Sequence, residues 1–315
     1  MARQLRQKVL LAVPKPIPLA YDIQDLNGNL LVRKGEIFSI RLLQKIHQTA
    51  PVPNRNILLR EHAVFGADLL QAVQAIPFHP LFHQKNSLSP FDKVLNEAGL
   101  PYWGMEVLEY FKQMDPSTYW HSLRVFVLTA IMALEFITPP ERKLIVASMG
   151  PLHDLGKVSV PLAVLQKKTL LTLEERNQIR HHVFSGAVLL SYHQDIANLL
   201  GPKVALEHHE RLNGSGYPFG LHLSDRTVEI VALCDVYDAL ISPRPYRSRA
   251  FDMRGGLEIM TQLALDGIFS LDLIRFLIAL HRREKSDYKK LIFSKEKRGL
   301  PPEKNLYGQF LESEY

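Results

Sequence analysis

Apolar residues beyond about residue 100 recur at the three- and four-residue spacing of helices that bury one face. Start signals precede several of these segments: Asp115-Pro116 supplies an N-cap and a first-turn proline, and Thr172 with Glu175 forms a capping box. The predicted helices span residues 119–136, 141–153, 173–192, 203–211, 228–241, about 254–265 and about 271–283. Since no segment of this region alternates like a strand, we predict that it is all-helical.

The first part of the chain has a different pattern. Two short apolar segments, residues 18–23 and 30–35, flank an Asn27-Gly28 turn, which predicts a small hairpin. Helical periodicity follows over two further segments, residues 40–47 and 61–75.

We place a domain boundary in the polar, proline-bearing segment before residue 100. Residues 1–98 are predicted to be a small α/β regulatory or sensory module of unknown ligand. Residues 99–315 are predicted to be the catalytic domain. The expected fold class is therefore mainly α, with an all-helical domain preceded by the small module.

Composition narrows the function classes. The 315 residues include 38 Lys and Arg against 32 Asp and Glu, an excess that favours an anionic ligand but is too small and dispersed to predict a nucleic-acid polymer as partner. The single cysteine, Cys234, excludes an intramolecular disulfide and suits a reducing compartment. The apolar run over residues 9–13 is too short for a membrane span. We expect a cytoplasmic protein without a membrane partner.

Histidines and aspartates provide the candidate chemistry. His153-Asp154 falls near the end of one predicted helix and His208-His209 near the end of another. Three more such residues lie singly on helices: His121, His182 and Asp235. Imidazole with carboxylate, without thiolate, suits iron, manganese or zinc, and two metals ~3.5–4 Å apart can activate water and clamp a phosphate. A lone histidine on a helix is usually not a ligand, so the prediction of a metal site depends on the whole set.

The set belongs to motifs that occur in a fixed order. They are His121-Ser-Leu-Arg-Val, His153-Asp-Leu-Gly-Lys157, His182 four residues before Gly186, His208-His-Glu-Arg-Leu-Asn-Gly-Ser-Gly-Tyr-Pro218, Asp235-Val-Tyr-Asp-Ala-Leu and Arg244-Pro-Tyr-Arg247. In type, order and interval they resemble the HD-GYP family, over about residues 117–280. The resemblance implies a helical HD-superfamily phosphohydrolase of bacterial signalling that opens cyclic di-GMP to linear pGpG or GMP.

The resemblance also implies roles for individual residues. One metal would be held by His121, His153, Asp154 and Asp235. A second metal, bridged to the first by Asp154, would be held by His182, His208 and His209. Lys157 would stand beside the scissile phosphate as a catalytic and substrate-binding residue. Further substrate contacts are expected from Arg244, Arg247 and Tyr246. The loop from Gly214 to Pro218 would shape the site or dock a signalling partner.

Departures from the family pattern limit these expectations. Ser117 stands where some members have a glutamate for a third metal, so two divalent metals are predicted, with iron favoured over manganese or zinc. Asn213 and Leu212 stand where the family usually has aspartate and often tryptophan. Two alternative functions stay open: a cyclic-dinucleotide sensor or docking module with little turnover, and an HD phosphohydrolase of another nucleotide. The oligomeric state also stays open. His181 lies about 100° around the helix from His182 and is predicted to be exposed.

Overall fold

The computed structural model describes a mainly helical chain, as predicted. The described residues are 11, 13–50, 56–59, 61–62, 65–75, 89–193, 199–244, 249–282, 287–293, 296–297 and 299. The helices within them are α1 (Ile40–Gln48), α2 (Phe65–Ala75), α3 (Ser89–Glu97), α4 (Tyr102–Met114), α5 (Pro116–Phe136), α6 (Pro140–Leu152), α7 (Leu162–Leu165), α8 (Leu173–Arg180), α9 (His182–His193), α10 (Leu200–Glu207), α11 (Arg226–Ile241), α12 (Met253–Leu265) and α13 (Leu271–Leu280). Short 3₁₀ turns cover Leu155–Ser159 and Tyr288–Lys290.

The strands are short and lie before α4. They are β1 (Ile17–Pro18), β2 (Ile23–Gln24), β3 (Leu30–Val32), β4 (Ile37–Phe38), β5 (Asn56–Leu58) and β6 (Gly99–Pro101), paired antiparallel as β1 with β4, β2 with β3 and β5 with β6. The predicted hairpin is β2–β3. Its turn is held by Asp25, whose carboxylate accepts the N–H groups of Asn27 (2.9 Å) and Asn29 (2.8 Å), and Gly28 takes the positive φ that the turn requires.

Helix starts follow the predicted cap signals. The Asp115 side chain accepts the N–H of Thr118 at the start of α5, and the Thr172–Glu175 capping box opens α8. Two predicted helix ends are wrong. The helix that begins after Thr172 stops at Arg180 and a new helix begins at His182, while α10 ends at Glu207 instead of residue 211.

Helix α5 lies at the centre of the fold and packs against α2, α3, α4, α6 and α11. Its side chains are buried on every side, among them Leu123, Phe126 and Ala130. A helix that is apolar all round is stable only when other elements enclose it. The polar His121 on this helix is therefore carried into the interior.

The described helices include none that is both long enough and apolar enough to cross a membrane.

Candidate metal centre

The structure brings together all seven residues predicted as metal ligands. His121 lies on α5, His182 is the first residue of α9 and Asp235 lies on α11. The two dipeptides follow helix ends, His153-Asp154 after α6 and His208-His209 after α10. Six of the seven side chains are buried and His209 is partly exposed.

Asp154 lies between two groups of imidazoles. Its Oδ2 atom is 3.6 Å from Nε2 of His121 and 3.3 Å from Nε2 of His153. Its Oδ1 atom is 3.3 Å from Nε2 of His182 and 3.8 Å from Nε2 of His208. Each carboxylate oxygen thus faces a different pair of nitrogen atoms, which is the geometry that a carboxylate bridging two metals needs.

The remaining two residues complete one group each. Nε2 of His121 is 3.1 Å from Oδ1 of Asp235, and the potential ligand atoms of His121, His153 and Asp235 lie within 4.8 Å of one another. The ligand atoms of His182, His208 and His209 also lie within 4.8 Å of one another. The first group consists of His121, His153 and Asp235, and the second of His182, His208 and His209, with Asp154 between them.

Gly156 allows the two groups to approach each other. A Cβ atom at this position would lie 2.0 Å from the carbonyl oxygen of His182 and 2.4 Å from the nitrogen of Gly186. The 3₁₀ turn that follows Asp154 can therefore pack on α9 only if residue 156 lacks a side chain.

Most of the imidazoles are oriented through Nδ1. Asp238 accepts from Nδ1 of His121 at 2.7 Å. Backbone carbonyls of Gly150 and Ile179 contact Nδ1 of His153 and His182, and His208 is held in the same way by carbonyls of α10. Since Nδ1 carries the proton in each pair, the lone pair is on Nε2, which points at the cluster.

The donor atoms fit metal ions. Nε2 of His121 and Nε2 of His153 are buried without a hydrogen-bond partner, and Nε2 of His182 faces Nε2 of His208 at 3.2 Å. Buried polar atoms are normally paired, so unpaired nitrogens next to two carboxylates are accounted for by cations between them.

The electrostatics agree with this fit. Burial lowers the pKa of His182 to about 4, and burial likewise holds the pKa of His208 and of His209 well below the usual value, so these imidazoles are neutral. Burial alone would raise the pKa of Asp154, but the positive charges of Lys157 and His153 outweigh burial. The pKa of Asp154 is therefore well below its usual range. Neutral imidazole and ionised carboxylate are the forms that bind metals.

His153 differs from the other histidines of the cluster. Burial acts to lower its pKa, but Asp154 and Asp235 outweigh burial and raise the pKa. Carboxylates that attract a proton to this position would attract a metal cation to the same place.

The predicted substrate contacts fall at three different places. Nζ of Lys157 lies 2.5 Å from Oδ2 of Asp154, at the edge of the cluster. Arg244 lies behind His121, with a guanidinium nitrogen 2.9 Å from its Nδ1 and 3.8 Å from the carboxylate of Asp238. Tyr246 and Arg247 lie outside the described residues.

Two further residues of the site were not predicted from the sequence. Asp238 is fully buried and accepts from Nδ1 of His121 and from Nε of Arg124 at 2.6 Å. Its position three residues after Asp235, on the same helix, was the available signal, because residues three apart share a helix face. Glu210 is fully buried and accepts the N–H groups of Phe219 and Leu221.

His181 corrects one expectation. It was predicted to be exposed, but it is buried at the junction of α8 and α9, where the ring of Tyr21 lies 5.2 Å from the imidazole.

A cavity of about 350 Å³ adjoins the cluster at His209. Its walls come from the loop after α10, from α11 and α12, and from the segment after α12, and include Tyr217, Val236, Ile259 and Phe269.

Comparison with known proteins assigns the fold to a family. Residues 112–269 match the HD domain. The chain belongs to the HD-domain family, and the membership that its motifs predicted is confirmed.

Similar proteins share the region of the motifs. The chain is 38% identical over 138 residues to a cyclic di-GMP phosphodiesterase of Pseudomonas aeruginosa, covering 43% of this chain and 33% of the relative. It is 40% identical over 126 residues to the cyclic di-GMP phosphodiesterase response regulator RpfG of Xanthomonas campestris, covering 39% and 33%. It is 26% identical over 251 residues to 3'3'-cGAMP-specific phosphodiesterase 3 of Vibrio cholerae, covering 78% and 50%. The chain thus spans about a third of the first two relatives and half of the third.

Proposed function

We propose that this chain is a metal-dependent phosphodiesterase that hydrolyses cyclic di-GMP to linear pGpG or GMP in bacterial signalling. The observation that carries the proposal is the position of Asp154, with one carboxylate oxygen facing each group of imidazoles. The names of the similar proteins support cyclic di-GMP as the substrate.

Two divalent metals are proposed as cofactors. The first would be held by His121, His153, Asp154 and Asp235, and the second by Asp154, His182, His208 and His209. When bound, such a pair supplies Lewis acidity to a phosphate and lowers the pKa of water. Nitrogen and oxygen donors without thiolate support iron, with manganese or zinc as the alternatives.

Lys157 is proposed to act on the substrate. Its ammonium pairs with Asp154, and its side chain is 18% exposed, so it stands at the edge of the cluster where a phosphodiester can reach it. A fixed cation beside the attacked phosphorus stabilises negative charge that grows on the phosphoryl oxygens in the transition state. Lys157 also orients Asp154, because the two groups are in direct contact.

The proposed compartment is the cytoplasm. The only cysteine in the sequence is Cys234, a buried thiol, as suits a reducing environment.

A second candidate substrate is 3'3'-cGAMP. The observation that favours it is the match with the Vibrio cholerae enzyme, which extends over 78% of this chain and so includes residues outside the HD domain. Both substrates present the same backbone phosphates to the cluster and differ in one base, so the two candidates require the same metal centre.

The test combines metal analysis with product analysis. Protein purified anaerobically is expected to contain two transition metals per chain and to convert cyclic di-GMP to pGpG or GMP, with 3'3'-cGAMP assayed in parallel. The control is Asp154→Asn, which keeps the size of the side chain but removes the charge, and is expected to lose turnover and metal together. Binding of cyclic di-GMP without cleavage in any reduced, metal-replete form would identify a sensor and overturn the proposed activity.

A further inference from the structure

His209 differs from the other four histidines of the cluster in how its ring is held. Nδ1 of His121, His153, His182 and His208 each contacts a carboxylate or a backbone carbonyl. Within the described part of the chain, the ring of His209 has no hydrogen-bond partner. An imidazole without such a partner needs another restraint to present its nitrogen to a metal.

Tyr217 provides a contact of a different kind. Its ring stacks on the imidazole of His209, with centroids 4.5 Å apart and planes inclined by 18°. The guanidinium carbon of Arg180 lies 4.1 Å from the centre of the Tyr217 ring. Tyr217 therefore contacts both a ligand imidazole and a cation through its π system, and both contacts are attractive.

The backbone around Tyr217 is fixed at the same place. The N–H of Tyr217 donates to the carbonyl oxygen of His209 at 3.2 Å. A Cβ atom at Gly216 would lie 2.3 Å from that carbonyl oxygen, so only glycine permits the approach. On the other side of Tyr217, the buried carboxylate of Glu210 accepts the N–H groups of Phe219 (2.8 Å) and Leu221 (2.9 Å). The loop thus holds Tyr217 against His209 from both directions.

Arg180 connects this stack to the other side of the second group. It is the last residue of α8 and stands two positions before His182, whereas His209 follows α10. The Arg180–Tyr217–His209 stack therefore includes one histidine of the second group and begins two residues before another, His182.

We propose that Arg180 and Tyr217 are positioning residues that fix the ring of His209 for the second metal. The proposal rests on the two-metal site of the proposed function and extends it to the Gly-Tyr-Pro loop. Loss of the stack should weaken the second metal selectively, because the restraints on the first group lie elsewhere.

The test compares two substitutions of one residue. Tyr217→Phe keeps the ring and Tyr217→Leu removes it. After equilibration with a chelator, wild type and Tyr217→Phe are expected to retain two metals per chain, and Tyr217→Leu about one. The affinity for the second metal should fall about 10- to 100-fold, the usual effect of losing a residue that supports a ligand. Arg180→Gln should show a smaller loss in the same direction.

The matched control is Tyr192→Leu, which removes a partly buried tyrosine that packs against His193, away from the stack. It should keep both metals, and thermal unfolding of each variant verifies that it is folded. Two metals bound to Tyr217→Leu with wild-type affinity, or equal losses in the Phe and Leu variants, would overturn the proposal.

A second measurement separates this proposal from the proposed function. In the metal-free protein, the ring current of Tyr217 should move the Hε1 resonance of His209 upfield, and the shift should persist in Tyr217→Phe and vanish in Tyr217→Leu. If wild type binds fewer than two metals, the two-metal function fails, while this resonance still decides whether the stack holds His209. An unchanged resonance in Tyr217→Leu would refute the stack.

Discussion

Asp238 lies next to the cluster but faces away from the proposed metal positions. It is fully buried, accepts from Nδ1 of His121 and from Arg124, and is also bonded by the hydroxyl of Ser242 at 2.8 Å. Burial acts to raise its pKa, but His121 and Arg124 outweigh burial and hold the pKa well below the usual range. An ionised carboxylate on Nδ1 fixes the tautomer of His121 and makes Nε2 a stronger donor.

Asp238→Asn is therefore expected to lower affinity for the first metal about 10- to 100-fold while the second group is left in place. The amide can still accept from His121, but it carries no charge to polarise the imidazole or to pair with Arg124. Competition with a chelator, followed by elemental analysis, measures the change. The control is Asp272→Asn, a carboxylate that is 49% exposed and pairs with Arg226. Equal metal affinities in wild type and Asp238→Asn would contradict the assigned role.

Arg244 stays a predicted substrate ligand, and its position allows a sharp test. Arg244 lies 2.9 Å from Nδ1 of His121, but this nitrogen donates its proton to Asp238 at 2.7 Å. Arg124 pairs with Asp238 at 2.6 Å, whereas Arg244 is 3.8 Å away, so Arg244→Ala should leave the Asp238 support of His121 intact. We expect an increase in KM for cyclic di-GMP of about tenfold, equivalent to ~1.4 kcal/mol, with unchanged metal content. Steady-state kinetics and metal analysis of the same preparation measure KM and metal content. The control is Arg254→Ala, because the Arg254 side chain is 53% exposed. Lost metal with an unchanged KM would assign Arg244 to the support of His121 instead.

The residues of the cluster could be predicted because their types and order carry the signal. The seven metal-competent side chains that belong to the ordered motifs converge in the structure. The supporting roles of Asp238 and Glu210 could not be predicted in this way, since they depend on which groups neighbouring helices and loops bring into contact. His181 was assigned wrongly for a related reason. The prediction assumed one continuous helix, whereas His181 lies between α8 and α9, and a distant segment containing Tyr21 packs against its ring.

At the scale of elements, the close packing of the 3₁₀ turn Leu155–Ser159 on α9 determines the spacing of the cluster. Gly156→Ala would introduce a Cβ atom 2.0 Å from a backbone oxygen, which cannot rotate away as a side chain could. The turn and α9 must then separate, and the 3.3 Å distance between Asp154 and His182 must increase.

We expect Gly156→Ala to lose both metals and to lower the free energy of unfolding by about 1–3 kcal/mol, as overpacking does. Elemental analysis and urea denaturation measure the two effects. Gly104→Ala is a suitable control, because its Cβ atom would meet only side-chain atoms, the nearest at 3.4 Å. A Gly156→Ala protein with full metal content would show that the two elements can separate without disturbing Asp154.

The starts of α5 and α8 were easier to predict from the sequence than the end of α10. Caps are local, so Asp115 and Thr172 mark the starts of α5 and α8 directly. The end of α10 is not determined by a local sequence signal. The helix ends before His208, and the carboxylate of Glu210 accepts hydrogen bonds from backbone N–H groups nine and eleven residues later. Periodicity alone extends the helix to residue 211, since it contains no information about this tertiary contact.

At the scale of the whole molecule, the N-terminal module packs on the helix that begins with His182. Phe38 meets Phe184 with ring centroids 5.0 Å apart, and Nδ1 of His47 lies 3.2 Å from the carbonyl oxygen of Ser191. Strand β5 pairs with β6, so hydrogen bonds cross the boundary predicted at residues 98 and 99. A boundary inferred from proline and polar content could not reveal this pairing, because strand partners distant in sequence leave no local signal. The division into two domains stays a prediction.

The buried environment of His193 makes the stability of the folded protein depend on pH. His193 stacks on Trp103 of α4, with centroids 4.4 Å apart and an interplanar angle of 8°, and its Nε2 is buried without a hydrogen-bond partner. Burial lowers its pKa from 6.5 to about 4, so the unfolded chain binds a proton in this interval that the folded chain does not.

The pKa of His193 is lower in the folded chain than in the unfolded chain. The free energy of unfolding should therefore fall as pH falls from about 6.5 towards 4. Between pH 7.5 and 5 the loss amounts to about 2 kcal/mol. Urea denaturation of metal-free protein at the two pH values should therefore give a smaller decrease for His193→Gln than for wild type, by about that amount. All other histidines are present in both proteins, so the comparison isolates His193, and His222→Gln, a substitution at an exposed position, serves as the control. If wild type and His193→Gln lose the same free energy of unfolding between pH 7.5 and 5, then His193 is protonated in the native state and its stack on Trp103 does not exclude the proton.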